Sequence, residues 1–316
     1  MNISYSRPLS LGFQRMKKAL FQPFDLNKWF RIGFTAWLAG LTDCEGGSSG
    51  GNHSNYNSHS HGFDDFFSFP QNAWDWFSTH PLWANLIIAG IVFLIVVISV
   101  FIWVSSRGKF MFLHNVAQEK SDISQPWYEY RKEGNSLFLF QLFFGWLSIV
   151  LFGCFLAYCF LSAKELYYGD FTNVAIFWAI AQMILLLIAY LLTMGFASLF
   201  LKDFVVPIMY KHRIGVLRAW GKFLSLFGRY FFSFIGYGFF IFILSIAVGI
   251  GVLFLALVTC CIGLLLLAIP YIGTVMLLPV SYTYRALSIE FLAQFGDDFN
   301  VFPNEEEEVL PIIEES

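Results

Sequence analysis

The stretch LWANLIIAGIVFLIVVISVFIWVSS, residues 82–106, decides the fold. It contains no Asp, Glu, Lys, Arg or His, and as a helix rising ~1.5 Å per residue it would reach about 37 Å. A hydrocarbon core of ~30 Å needs roughly 20 apolar residues, so the stretch predicts a transmembrane helix. Runs of the same kind cover 137–162 and 173–201, and a longer one extends from about 230 to 284. That last run is about twice the length of one crossing, so it predicts a hairpin turning near Thr259-Cys260-Cys261, with spans at 230–257 and 262–284. A shorter run, LNKWFRIGFTAWLAGLT at 26–42, precedes them all, with Asp25 placed to cap it.

Composition agrees. Apolar residues make up 57% of the 316 and charged residues 13%, about half the charged share of an ordinary soluble domain. The formal net charge of −3 argues against a nucleic-acid partner. No cleavable leader is expected, because Arg15, Lys17, Lys18, Lys28 and Arg31 lie ahead of or within the first apolar run. The cysteines Cys44, Cys154, Cys159, Cys260 and Cys261 have no zinc-type spacing.

The distribution of basic residues orients the chain. Of the 19 Lys and Arg, six precede or open the first run, five lie between the second and third, six between the fourth and fifth, and Arg285 closes the last. Only Lys164 falls on the opposite side. By the positive-inside rule this places both termini in the cytoplasm and asks the 26–42 segment to cross. The expected architecture is therefore all-α and polytopic: a cytoplasmic interfacial arm at 1–25, a six-span membrane domain at 26–290 and an acidic, unstructured cytoplasmic tail at 291–316. The tail carries GDDFNVFPNEEEEVLPIIEES.

Three segments mix basic and aromatic residues ahead of alternate spans: 9–24, 126–140 and 214–232. Leu9, Phe13, Met16, Leu20 and Phe24 form a helical stripe in the first, and Leu217, Trp220, Leu224 and Phe227 in the third. Both read as helices lying in the membrane interface, with Arg15, Lys17, Lys18, Arg218 and Lys222 against anionic lipid headgroups. The pattern is compatible with three repeats of interfacial helix plus hairpin, and equally with three unrelated basic loops.

Candidate chemistry is sparse. The predicted spans two to six hold no ionisable side chain in their interiors, which argues against a proton- or ion-coupled carrier. Gln141 and Gln182 read as cross-helix hydrogen-bonding groups, and the glycines at 236, 238, 249 and 251, with Pro270 and Pro279, as packing features. The loop 43–81 contains GGNHSNYNSHSHGFDD (50–65), where His59, His61 and Asp64 are the candidate metal ligands. Gly, Ser and Asn supply neither rigid ligands nor supporting hydrogen bonds, so a flexible external linker is the favoured reading. Trp74, Trp76 and Phe77 would place the end of that loop at the outer interface. No hydrolase, zinc-protease, phosphate-loop or dinucleotide motif occurs, and no cofactor is expected. An enzyme would need Asp203, His212 and Glu129 to converge in one cleft.

LFQPFDLNKWFRIGFTAWLAGL (20–41), SSRGKFMFLHNVAQ (105–118), PWYEYRKEGNSLFLFQL (126–142), KDFVVPIMY (202–210) and YRALSIEFLAQFGDDF (284–299) resemble a family of uncharacterised bacterial multi-pass membrane proteins. The layout is more distantly similar to the membrane domain of glycerophosphodiester phosphodiesterases, without their catalytic domain. This resemblance implies a six-helix protein of the bacterial inner membrane and assigns no active residues. Three functions remain: a non-enzymatic module organising lipids or membrane protein partners, a carrier or flippase for an apolar or amphipathic substrate, and a lipid-modifying enzyme.

Overall fold

A computed structural model describes residues 3–42, 63–169, 173–259 and 262–302. Among them every regular element is a helix. In chain order these are α1 (Ser6–Phe21), α2 (Leu26–Gly40), α3 (Phe63–Thr79), α4 (Pro81–Ala117), α5 (Ser124–Glu129), α6 (Arg131–Tyr168) and α7 (Asn173–Phe200). A π-helical turn (Leu201–Val205), α8 (Val206–His212), α9 (Val216–Arg229), α10 (Phe231–Val258), α11 (Ile262–Ala268), α12 (Ile272–Met276), α13 (Leu278–Ala293) and a 3-10 turn (Asp297–Phe299) complete the order.

Four helices are long and apolar enough to cross a membrane: Pro81–Ala117, Arg131–Tyr168, Ile176–His212 and Phe231–Val258. They match four of the six expected spans. The other two differ. Helix α2 has 15 residues, about 23 Å at ~1.5 Å per residue. It is capped as expected, the Asp25 carboxylate accepting from the Asn27 amide at 2.9 Å. The 262–284 segment is broken rather than continuous. Pro270 cannot donate to the helix, and Tyr271 takes φ 67°, ψ −53°, closing a γ-turn from the Ile272 amide to the Pro270 carbonyl at 2.8 Å.

The chain divides into two compact units. The first comprises Met1–Gly46, Ile102–Phe140 and Phe196–Ser316. Its core is a block of aromatic rings contributed by α7, the π-turn, α9, α10 and α13. Phe204 stacks on Phe223 at 5.5 Å and meets Phe234 edge-on at 4.9 Å. Phe291 lies 4.6 Å from Tyr237, and Phe295 stacks on Phe234 at 5.0 Å. Such offset and edge contacts add ~0.5–1.5 kcal/mol each beyond the burial of the rings.

Helix α1 lies along α13 in this unit, with Gly12 at the contact. A Cβ on Gly12 would stand 3.0 Å from the Leu287 amide nitrogen. The buried residues of α1 are Pro8, Gly12, Met16, Ala19 and Leu20, whereas Phe13 and Phe24 of the expected stripe are exposed. Helix α2 runs antiparallel to the second half of α4. Thr35 Oγ1 accepts from Asn115 Nδ2 at 3.3 Å, the Ala39 carbonyl accepts from Ser105 Oγ at 2.9 Å, and Thr42 bonds Ser105 at 2.8 Å. Their backbones touch at Gly108.

The tail starts later than expected. Phe291, Leu292, Val301 and Phe302 are buried, because the acidic stretch is interleaved with apolar residues that the core accepts. Residues 303–316 lie outside the described residues, as do His59 and His61. Asp64 opens α3, but its side chain is likewise outside what is described.

The second unit comprises Gly47–Phe101 and Gln141–Gly195. Its helices α6 and α7 are joined by the Ser148 and Tyr190 hydroxyls at 2.7 Å. Gln182, one of the two expected cross-helix groups, is exposed, and its side chain makes no hydrogen bond among the described residues. Its long apolar side chains are exposed as well, Leu82, Phe93, Phe143 and Leu185 each by more than 60%.

Candidate functional site

The ionisable side chains that are buried lie in the first unit: Arg107, Lys109, His114, Glu133 and Arg285 among the described residues. They occur where the long helices emerge from their charge-free runs. Arg107 is the first charge after residues 82–106. Its guanidinium lies against two indoles that meet edge to face, 4.4 Å from the Trp103 ring and 5.0 Å from that of Trp127. Nη2 donates to Asn135 Oδ1 at 3.1 Å. Gly134 lets α6 come this close, since a Cβ there would stand 3.0 Å from Arg107 Cγ.

A groove of about 410 Å³ adjoins these residues, walled by Phe34 and Leu38 of α2, Val104 and Met111 of α4, and Trp127 and Tyr128 of α5. It is almost entirely apolar. Its walls come from α2 and α4, the first two of the expected spans, and from the short α5.

A second group surrounds Tyr130. Its ring stacks between Tyr210 at 4.8 Å and Phe110 at 5.9 Å, and the Arg213 guanidinium lies 3.8 Å above it. Arg213 also forms an ion pair with Glu129, and His114 Nδ1 bonds the Tyr210 hydroxyl at 3.1 Å. Burial, then the hydrogen bond with Tyr210, push the Tyr130 hydroxyl well above its usual range, so it stays a neutral phenol.

A third group sits at the π-turn. The extra residue of such a turn offsets the carbonyl ladder, and here the Lys202 carbonyl accepts from Arg285 Nη1 at 2.7 Å. The Asp203 carboxylate accepts from the buried Tyr237 hydroxyl at 2.9 Å.

The expected enzymatic trio is thus engaged in three different arrangements: Glu129 with Arg213, Asp203 with Tyr237, and His212 with Lys222 Nζ at 3.3 Å. These three residues therefore do not converge in one cleft, as the general acid–base reading requires. No group of three or more His, Cys, Asp or Glu side chains with metal-binding geometry occurs among the described residues.

The interfacial residues fare unequally. Arg15 is turned into the protein, its Nε 2.6 Å from Glu290 and its guanidinium 3.7 Å above Phe302. Lys18 pairs with Glu119 at 3.2 Å, and Lys17 is exposed. On α9, Val216, Ala219, Phe223 and Leu226 face the core. Leu217 and Leu224 are exposed beside a face carrying exposed Arg218 and Lys222. Sequence reasoning missed Arg107, Trp103, Trp127 and Tyr237. The available signal was the position of Arg107, one helical turn past Trp103 at the end of an apolar run.

These features define an all-α protein with four helices long and apolar enough to cross a membrane, and a packed aromatic unit carrying its buried charges. The chain belongs to a family of unknown function (DUF7544), whose sequence model matches residues 8–295. No curated protein matches the chain, and no solved structure does.

Proposed function

We propose that this protein is a multi-pass module of the bacterial cytoplasmic membrane, both ends inside, that organises lipids or partner proteins rather than catalysing a reaction. One contrast carries the reading. Apolar side chains stay exposed along the charge-free runs of the long helices, while the buried Arg, Lys, His and Glu side chains all fall in the first unit. Exposed apolar helices of this length are what a bilayer covers, and charge at their ends is what headgroups meet.

Six passages fit the chain path. Helix α10 leads away to Val258, yet Phe291 and Phe295 return to Tyr237 and Phe234 near its start. Similarly, Thr42 lies beside Ser105 while Pro81 opens the far end of α4. On this reading two further passages are made without a long straight helix, one between α2 and α4 and one between α10 and α13. The parity agrees with α1 lying along α13, and eighteen of nineteen basic residues favour the cytoplasmic side for both. Arg218, Lys222 and Lys17 remain the residues offered to anionic headgroups, with Leu217 and Leu224 inserted beside the first two.

A carrier or flippase for an amphipathic substrate is the second reading, favoured by the apolar groove beside Arg107. In a cysteine-free background, an impermeant maleimide added to intact cells should label Tyr56→Cys and spare Gln125→Cys; labelling at 125 overturns the orientation. Purification from native membrane should return a reproducible set of lipids or proteins. Turnover of any co-purifying lipid by the protein alone would overturn the non-enzymatic reading.

A further inference from the structure

Arg107 presents an imbalance that no described residue resolves. The residue is 7% exposed. Nη2 is satisfied by Asn135, but Nε is buried without a partner. The guanidinium forms no ion pair with a described residue, and neighbouring Arg131 adds like-charge repulsion. Glu133, also buried, leaves its own Oε2 without a partner and does not pair with it. A buried charge without a counter-charge is strongly unfavourable, so the position calls for an anion from outside.

The surroundings select which anion. Trp127 both covers the guanidinium and walls the apolar groove. Val104, Arg107 and Met111 follow one another at spacings of three and four, so charge and groove share one face of α4. The groove volume of about 410 Å³ lies within the ~300–1,000 Å³ of sites for small ligands. Free phosphate would gain nothing from walls of Phe, Leu, Val, Met and Trp, whereas an acyl chain would. Arginine is the residue suited to bind phosphate oxygens with paired, charge-assisted bonds, and tryptophan is favoured at the headgroup level.

We propose that the groove between α2, α4 and α5 binds one anionic phospholipid, its phosphate on Arg107 and one acyl chain along the walls formed by Phe34, Leu38, Val104 and Met111. This rests on the membrane reading above and specifies its lipid. The site is distinct from the exposed basic face of α9.

The test is a titration of the full-length protein in neutral detergent with dioleoyl-phosphatidylglycerol and, separately, dioleoyl-phosphatidylcholine, with bound lipid counted by native mass spectrometry. Wild type should retain one phosphatidylglycerol in preference to phosphatidylcholine. Arg107→Gln should weaken phosphatidylglycerol binding roughly tenfold, the loss expected for one hydrogen bond to a charged group. Ser124→Trp, at an exposed position on the groove wall, should abolish retention without touching the charge. Lys164→Gln, an exposed cation that neither reading places at a headgroup, should leave the count unchanged.

Wild-type binding by both Arg107→Gln and Ser124→Trp overturns the proposal, and Ser124→Trp decides alone if Arg107→Gln loses its helical signal. A roughly tenfold gain on changing Glu305, Glu306, Glu307 and Glu308 to Gln also overturns it, because the chain's own acidic segment would then be the occupant. Carbonate-resistant membrane retention of every variant separates the two readings: its loss in wild type sinks the membrane assignment, whereas retention with unchanged lipid counts sinks only this site.

Discussion

Replacing Gly108 by alanine should drive α2 and α4 apart. An ideal Cβ at Gly108 would lie 2.6 Å from the Leu38 carbonyl carbon, 2.7 Å from the Ala39 nitrogen and 2.8 Å from Leu38 Cβ. The first two are backbone atoms and cannot rotate away. Alanine gains ~1 kcal/mol over glycine as a helix former. Overpacking a tight contact costs ~1–3 kcal/mol, and backbone neighbours place this site at the upper end. The net expectation is destabilisation by about 2 kcal/mol, together with loss of the Ser105 bonds to Ala39 and Thr42 a turn away. Gly90→Ala is the internal control, since nothing lies within 4 Å of a Cβ there and only the helix gain applies. Unfolding in mixed micelles, followed by helical circular dichroism against SDS fraction, gives both values. Equal stability of the two variants would show that the α2–α4 contact relaxes freely and would refute the reasoning.

Tyr237→Phe removes the hydrogen bond that the fully buried hydroxyl donates to the Asp203 carboxylate, at a cost of ~1–3 kcal/mol in the same assay; a change under about 0.3 kcal/mol would contradict it. Arg15→Gln breaks the contacts with Glu290 and Phe302 that join α1 to the end of the chain. These groups are partly exposed, so the expected loss is ~1 kcal/mol and should shrink as salt rises; a salt-independent loss would assign the effect to packing alone. The labelling of positions 56 and 125 and the phosphatidylglycerol titration test the topology and the Arg107 site.

The four long helices were legible because each is announced by a charge-free run long enough to leave no alternative. Asp25 was legible because a short carboxylate before an apolar run has one obvious use. The packed unit was not. Aromatic residues at 200–237 and 291–302 carry the same hydropathy whether they face lipid or one another, and the composition favoured lipid. The protein-facing side of α1 was only half legible, for a related reason. Phe13 and Phe24 dominate any apolar stripe, yet the contact with α13 is made through Gly12, Met16 and Ala19, and small residues mark close approach rather than hydropathy. Pro270 signalled an interruption, but not that Tyr271 would adopt a left-handed φ and bond the Phe30 carbonyl through its hydroxyl at 3.0 Å. Arg107 was counted only as one cation among eighteen, because its burial depends on Trp127 and Asn135, which lie beyond the reach of a local pattern.

The pairing of α1 with α13 sets a timetable for biosynthesis. Ser6 leaves the ribosome early, whereas Leu278, where its partner helix opens, is made some 270 residues later. At ~5–20 residues per second that delay is roughly 14–54 seconds. Throughout it Met16, Ala19 and Leu20 have no partner, while Lys17 and Lys18 already stand on the other side of the helix. The lipid surface beside the translocating chain is the nearest shelter for such a face. Helix α1 therefore has two successive lodgings, first away from its partner and then on the flank of α13, and this contact closes only once α13 has been made.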